Sequence, residues 1–176
     1  MSSDQLSGAV IEFDVQTGQL IREFELPEGT TGLSTNWSQV ALSPDGPLLV
    51  AELYETGPGE GISKTGHLYG WDVTTGDLVF KSGELASKQP YIPHWIEFSE
   101  DSQQILMTVN EGIAHLLDAH TGDYIRTYGE AATFDAPNVW GFFTPVGILI
   151  VIGNGRAIAS WRGEKARYSQ QKRTLP

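Results

Sequence analysis

Short apolar stretches separated by turn residues run along almost the whole chain, and few of them have a helical period. Stretches such as GAVIEFD at 8–14 and GHLYGWD at 66–72 are rich in β-branched and aromatic residues, which suit a pleated strand. The runs at 105–109 and 148–152 are almost entirely apolar, which indicates strands that are buried on both faces. The pattern therefore predicts an all-β protein.

Four glycines, at positions 8, 66, 112 and 155, begin copies of a repeated unit. In the first three copies an aspartate follows six residues later, and a Thr-Gly pair follows the aspartate. These turn positions are Asp14 and Gly18, Asp72 and Gly76, and Asp118 and Gly122. The aspartate can bond to the backbone of the turn after it, and the glycine can take positive φ. Asp-x-x-Thr-Gly therefore predicts a structural turn between antiparallel strands, and its three copies argue against a catalytic or metal-binding role.

A second repeated unit precedes the last three glycines, at residues 37–55, 95–111 and 140–155. Each copy reads as an apolar strand, a turn and a second apolar strand, and Pro-Asp-Gly at 44–46 is a strong turn signal. Together the two units give four antiparallel strands, A to D, in about 40–45 residues, which is typical of a propeller blade. Residues 52–65 form a Gly- and Glu-rich insertion between strands B and C, which we expect to be an exposed loop.

The Ser-Pro-Asp-Gly turn at 43–46 before strand B, with Trp71-Asp72 at the end of strand C, resembles the WD-repeat family. The resemblance covers about residues 8–170, with divergent blades, because Phe13-Asp14 and Leu117-Asp118 replace the Trp-Asp pair elsewhere. Quinoprotein-type propellers also carry Asp-x-x-Thr-Gly, and their motif continues to a tryptophan four residues after the glycine. This chain has Arg22, Phe80 and Arg126 at those positions. The second resemblance is weaker, and neither a quinone nor any other cofactor is expected.

The strand count predicts an all-β propeller segment of about three and a half four-stranded antiparallel blades, which is an incomplete ring. It comprises a half blade at 8–24 with strands C and D, full blades at 36–81, 94–128 and 139–170, and a polar tail at 171–176. Known propellers need roughly four or more blades to close a ring. The favoured interpretation is a segment of a longer propeller. Self-association through open blade edges, or imperfect closure around the incomplete blade, are the alternatives.

Composition and charge narrow the classes of function. The chain has 22 acidic and 11 basic residues, a net charge of −11, and six of the basic residues lie in 156–176. An acidic body repels phosphate, so no nucleic-acid partner is expected. No apolar run approaches the roughly 20 residues of a membrane helix, and no signal peptide is visible, so the prediction is a cytoplasmic protein without a membrane partner.

Motifs for catalysis and metal binding are missing from the sequence. There is no Gly-x-Ser-x-Gly elbow and no phosphate-binding glycine loop. The chain has no cysteine, and none of its four histidines has a second histidine at metal-ligand spacing. We therefore predict no catalytic residue, no metal site and no enzyme, and we expect His115 on strand C to pack between blades.

The resemblance to WD-repeat proteins implies that strand A lines the central channel and that the D–A and B–C loops share the face most used for partners. By that resemblance, six aromatic residues and one histidine would form a partner-binding face: Trp37, Tyr54, Tyr91, His94, Trp95, Phe134 and Trp140. The alternative is that they fill the funnel between blades. The predicted function is a non-enzymatic module that binds a protein or peptide partner or acts as a scaffold. A fragment of an enzymatic or cofactor-binding propeller, lactonase-like or quinoprotein-like, is the alternative function.

Overall fold

The computed structural model describes residues 10–26, 33–34, 39–55, 65–86, 93–109, 113–128, 139–152, 157–162 and 165–169. These ranges contain sixteen β-strands and no helix, and hence no helix that could cross a membrane. The first eight strands are β1 (Val10–Phe13), β2 (Leu20–Phe24), β3 (Leu33–Ser34), β4 (Val40–Leu42), β5 (Leu48–Glu55), β6 (Thr65–Asp72), β7 (Leu78–Lys81) and β8 (Leu85–Ala86). The other eight are β9 (Pro93–Phe98), β10 (Gln104–Val109), β11 (Ile113–Asp118), β12 (Tyr124–Tyr128), β13 (Val139–Thr144), β14 (Gly147–Ile152), β15 (Ala157–Arg162) and β16 (Lys165–Ser169).

The strands form four antiparallel sheets, numbered here in chain order. Sheet 1 contains β1 and β2, sheet 3 contains β9 to β12, and sheet 4 contains β13 to β16, each in sequence order. Sheet 2 contains β3 to β8, and each of its two outer positions is occupied by two short strands. Strands β3 and β4 both pair with β5, and strands β7 and β8 both pair with β6. A two-stranded half sheet is therefore followed along the chain by three antiparallel meanders with four strand positions each, as the repeat predicted.

The insertion in sheet 2 begins later than expected. Strand β5 continues to Glu55 and pairs with β6 as far as Tyr54 and Gly66. Glu52, which the sequence placed in an exposed loop, is fully buried. The prediction was wrong at this end because β5 lies between β6 and β3, and this pairing extends the strand beyond its apolar run. Residues 56–64 lie outside the described residues.

The three Asp-x-x-Thr-Gly segments adopt the same turn. In each, the Asp Oδ1 atom accepts the backbone N–H groups two and three residues later, at 2.7–3.0 Å. The glycine N–H donates to the Asp carbonyl oxygen, and Gly18, Gly76 and Gly122 have φ between 70° and 83°. These bonds lower the pKa of each aspartate, chiefly through the backbone N–H groups of Thr17, Thr75 and His120 respectively. The turns are therefore local structures whose bonds favour the ionised carboxylate.

Apolar side chains fill the contacts between neighbouring sheets, which we call seams. Seam 1–2 contains Val10, Phe24 and Leu26 against Leu49, Ala51, Tyr69 and Trp71. Seam 2–3 contains Ala41, Leu48, Val50, Leu68 and Phe80 against Ile96, Phe98, Ile105, Met107, Val109, Ile113, Leu117 and Ala119. Seam 3–4 contains Leu106, Ala114, Leu116 and Tyr128 against Phe143 and Ile148. Strand β10 serves both of the last two seams, and all five residues 105–109 are at most 1% exposed, which confirms a strand buried on both faces.

The first strands of the full sheets lie side by side. Strand β4 contacts β9, and β9 contacts β13, so the A strands are next to one another while the sheets fan outward from them. Because A strands run the same way, their first residues share one end of the molecule. The A–B and Asp-x-x-Thr-Gly turns lie at the opposite end.

Candidate partner-binding site

The structure describes four of the seven residues predicted for the partner face, at least in part. Trp95 in β9 and Trp140 in β13 have described side chains. Tyr54 lies in β5 and His94 in β9, with side chains outside the described part. Trp37, Tyr91 and Phe134 lie outside the described residues altogether. Only the two tryptophans therefore define geometry at this face.

Trp95 and Trp140 lie near the beginnings of two inner strands that are in contact. Tyr54 is near the end of β5, which runs antiparallel to β4, so its backbone belongs to the same end of the sheets. The ring of Trp95 packs against that of Phe142, with 5.9 Å between centroids and planes tilted by 52°. Trp140 is 37% exposed and leaves part of a large apolar surface in solvent.

Glu97 adds a carboxylate beside this aromatic pair. It lies two residues after Trp95 on β9, so both side chains leave the strand on the same face. Burial raises the pKa of the Glu97 carboxyl, while the Trp95 indole and the Phe143 backbone N–H lower it by a smaller amount. Its Oε2 atom and Trp95 Nε1 are buried, and neither forms a hydrogen bond of normal geometry with the described residues. Sequence reasoning missed Glu97, because its burial depends on β13 packing over β9.

A cavity of about 590 Å³ lies toward the turn end of seam 3–4, opposite the predicted face. Its lining is acidic and includes Glu97, Glu100 and Asp101, together with Phe143 and Thr144. Asp101 is held in the A–B turn by the Ser99 hydroxyl, 2.6 Å from its Oδ1, which is the main cause of a lowered pKa for Asp101. The sequence signal for this acidic lining was the turn at 99–101, which begins two residues after Glu97. That segment was predicted only as a structural turn.

A smaller cavity of about 250 Å³ lies in seam 2–3. His115 lines it, is 7% exposed, and has its Nδ1 2.7 Å from the hydroxyl oxygen of Tyr124. Burial lowers the pKa of His115 to about 4, so the imidazole is neutral at neutral pH. The expected position of His115 between blades is thus observed. Within the described ranges, no group of three or more His, Cys, Asp or Glu side chains is arranged to hold a metal ion.

No protein-family model matches the chain, and no curated protein sequence matches it either. Similar solved structures include the computationally designed Ika4 protein, at 14% identity and a TM-score of 0.56, over 93% of this chain and 79% of that one. The Dos1 propeller is 14% identical with a TM-score of 0.60, over 90% of this chain and 37% of that one. Hsv2 from Kluyveromyces lactis is 11% identical with a TM-score of 0.53, over 78% and 48%.

The chain therefore spans less than half the length of the Dos1 and Hsv2 chains that it matches. At these identities the similarity concerns the fold alone. Combined with the antiparallel meanders of sheets 2 to 4, it confirms the predicted fold class. The described residues form an all-β partial propeller, with a two-stranded half blade in sheet 1 and three blades of four strand positions in sheets 2 to 4, where the two outer positions of sheet 2 hold two strands each.

Proposed function

We propose that this chain is a non-enzymatic, WD-repeat-like propeller module that binds a protein or peptide partner at the end where its inner strands begin. The supporting observation is the exposed ring of Trp140, next to the packed pair of Trp95 and Phe142. Large aromatic side chains on a surface are the residues most often found at the centres of protein interfaces. An inner-strand tryptophan that remains 37% exposed is suited to that role.

The packing beneath Trp140 supports a rigid binding surface. Trp140 and Phe142 are two residues apart on β13, and Phe142 is held by the Trp95 ring on β9. Gly141, between them, lies so close to sheet 3 that an added Cβ would be 2.7 Å from Thr108 Cγ2. This close approach fixes β13 against sheet 3. A partner would therefore meet a preorganised aromatic surface and lose little free energy in ordering it.

The WD-repeat-like part of the proposal depends on sequence features at the other end of the sheets. The Ser-Pro-Asp-Gly turn at 43–46 and the Trp71-Asp72 pair are the family features, and they occupy an A–B turn and the end of a C strand. Trp71 is fully buried, consistent with a packing role. The partner role is proposed for Trp140 and Trp95 rather than for Trp71, and the proposed module binds a protein or peptide or acts as a scaffold.

A displayed peptide library selected on the whole protein tests the proposal. Peptides that bind the wild-type chain should lose at least about tenfold in affinity for Trp140→Ala, because a truncated hot-spot residue costs about 2 kcal/mol. The matched control is Ile125→Ala, which removes a side chain that is 48% exposed on β12 at the outer edge of sheet 3. Binders that lose as much affinity with the control as with Trp140→Ala would refute this site.

A further inference from the structure

A cavity of about 250 Å³ lies in seam 2–3, between two complete blades. Three of its lining residues follow strand β7 of sheet 2, and four lie on β11, on β12 or in the turn between them in sheet 3. All seven belong to the described residues: Ser82, Gly83, Glu84, His115, Leu117, Gly122 and Tyr124. Two neighbouring sheets of this chain therefore form the walls of the cavity.

The cavity exists because two large rings of the repeat are replaced by smaller side chains. Tyr69 and Trp71 follow the repeat glycine of sheet 2 by three and five residues. The same places in sheet 3 are occupied by His115 and Leu117. Tyr69 and Trp71 are fully buried and stack with 5.9 Å between their centroids, so they fill seam 1–2. The imidazole and isobutyl groups of sheet 3 fill less of seam 2–3 and leave room for a ligand.

His115 brings a buried polar group to this cavity. Its side chain is 7% exposed, and its Nδ1 atom lies 2.7 Å from the hydroxyl oxygen of Tyr124. No described residue forms a hydrogen bond with the other ring nitrogen, Nε2, although buried polar atoms nearly always have a partner. The ring is neutral at neutral pH, because burial lowers the pKa of His115 to about 4. When Nδ1–H donates to the Tyr124 oxygen, Nε2 is therefore an acceptor that has no donor among the described residues.

Sheet 2 places an ammonium group beside the residue that corresponds to His115. Tyr69 pairs with Lys81 across β6 and β7, and the Lys81 ammonium lies 5.4 Å from the centroid of the Tyr69 ring. In sheet 3 the corresponding pair is His115 and Thr127, so no lysine stands at this place. The lining of the cavity contains no Lys or Arg, and Glu84 supplies a carboxylate. The site therefore favours a positively charged ligand over an anion.

We propose that the cavity in seam 2–3 binds a primary alkylammonium ion, whose ammonium takes the place that Lys81 fills in sheet 2. The ammonium N–H donates to Nε2 of His115, and the Glu84 carboxylate supplies the opposite charge. The alkyl chain lies against Leu117 and Gly122, which also line the cavity. An apolar cavity of about 150 Å³ holds benzene, so this one has room for a chain of about four to six carbons. A small-molecule amine and the lysine side chain of a peptide share this chemistry.

The test is an NMR titration of the whole protein, labelled with ¹⁵N at histidine, with n-butylammonium. The Nε2 signal of His115, identified by its loss in His115→Phe, should be that of an unprotonated nitrogen and should shift saturably. n-Butanol and butyrate have chains of similar length and should bind at least about tenfold more weakly, because neither donates a charge-assisted hydrogen bond. Nα-acetyl-lysine methylamide separates the two sources. An affinity equal to that of butylammonium assigns the ligand to a lysine side chain, and weaker binding assigns it to a small-molecule amine.

Thr127→Lys gives the sharpest variant, because it restores the internal ammonium of sheet 2 without changing a lining residue. It should weaken butylammonium binding by at least about tenfold, since a tethered ammonium competes at a high effective concentration. The matched control Thr127→Gln adds a long uncharged side chain and should leave the affinity nearly unchanged. Glu84→Gln should weaken binding by about threefold or more, whereas Glu100→Gln, at the cavity of seam 3–4, should not. All three positions are exposed, so these variants should fold.

Three results would overturn the proposal. The first is an Nε2 signal that butylammonium does not move. The second is binding of n-butanol or butyrate as tight as that of butylammonium. The third is an equal loss of affinity in Thr127→Lys and Thr127→Gln, or in Glu84→Gln and Glu100→Gln, which would place the ammonium elsewhere. Trp140→Ala should leave the titration unchanged, because this cavity and the proposed partner-binding face share no residue, so either proposal can fail without the other.

Discussion

Seams 1–2 and 2–3 use the same repeat position in different ways. The fourth residue after the turn glycine reaches the Asp-x-x-Thr-Gly turn of the next sheet in both. In seam 1–2 this residue is Arg22, whose guanidinium donates to carbonyl oxygens of the Asp72 turn. In seam 2–3 it is Phe80, whose ring is 7% exposed and lies between Gly70 and Gly122.

The difference shows that one backbone arrangement can produce either an adaptable or a tightly packed seam. A Cβ added to Gly76 would lie 3.1 Å from Arg22 Cδ, on a long side chain that can move. A Cβ added to Gly122 would lie 2.8 Å from Phe80 Cε2, on a ring confined from both sides. Seam 2–3 is flanked by complete blades, whereas seam 1–2 borders the half blade. We therefore expect seam 2–3 to contribute more stability than seam 1–2.

The largest expected effects, and the strongest test of this difference between the seams, come from truncation of Phe80 and Arg22. Phe80→Ala should lower the free energy of unfolding by about 3 kcal/mol or more, because it leaves a cavity between two glycines. Arg22→Ala removes partly exposed hydrogen bonds and should cost about 1 kcal/mol or less. Urea denaturation of both variants beside the wild type measures the two values. Equal losses would contradict the distinction between the seams.

A smaller effect is expected from the turn glycines, which have nearly equal φ values but different neighbours. Gly122→Ala combines positive-φ strain with a clash against Phe80 and should cost about 2–3 kcal/mol. Gly18→Ala meets nothing within 4 Å and should cost only the strain, about 1 kcal/mol. Gly76→Ala should fall between them, since Arg22 can move. The comparison fails if thermal or urea midpoints rank the three variants in another order.

The turns and the strand order were predictable from sequence because both depend on local chemistry. Asp14 and Gly18 lie within five residues, and their hydrogen bonds involve only that segment. The packing of Phe80 on Gly122 was not predictable, since it depends on the register of two sheets. Gly70, an interior strand glycine, was the available signal of a close approach.

The candidate partner site also combines features that were predictable from the sequence with features that were not. The placement of Trp95 and Trp140 at the beginnings of inner strands followed from the repeat alignment. The burial of Glu97 and the ring contact of Trp95 with Phe142 required β13 to pack over β9. Both contacts join residues that are more than 40 positions apart in sequence, and no local pattern encodes such a contact. The partner roles of all seven residues stay predictions, and Trp37, Tyr91 and Phe134 lie outside the described residues.

Ser102 forms a polar contact across seam 2–3, and its loss should have a smaller effect than the loss of the Phe80 packing. It occupies the left-handed position of its A–B turn, with φ of 59°, where the first A–B turn has Gly46. Its hydroxyl accepts the Asp45 N–H of sheet 2 at 3.2 Å. Ser102→Ala should cost about 1 kcal/mol, because it loses this bond and keeps the strain. Ser102→Gly loses the bond but relieves about as much strain, so its unfolding midpoint should stay close to that of the wild type. If Ser102→Gly loses as much stability as Ser102→Ala, the backbone strain at the positive φ of Ser102 is negligible.

The smallest expected effect is a dependence on pH in seam 3–4, where strand β9 carries the partly buried carboxylate of Glu97. The pKa of Glu97 is raised above its ordinary value of 4.5, chiefly by burial, so the folded state binds this proton more tightly than the unfolded state. Stability from this group is present below pH 4.5 and is lost as the pH rises through the raised value. Glu97→Gln should therefore slightly stabilise the protein at neutral pH and remove this slope. Asp118→Asn is the opposite control: the pKa of Asp118 is lowered, so its contribution is present above 3.8 and is lost as the pH falls. Urea midpoints measured from pH 3 to 8 separate the two slopes, and a Glu97→Gln variant that is less stable at neutral pH would show that the carboxylate has a stabilising partner in this seam.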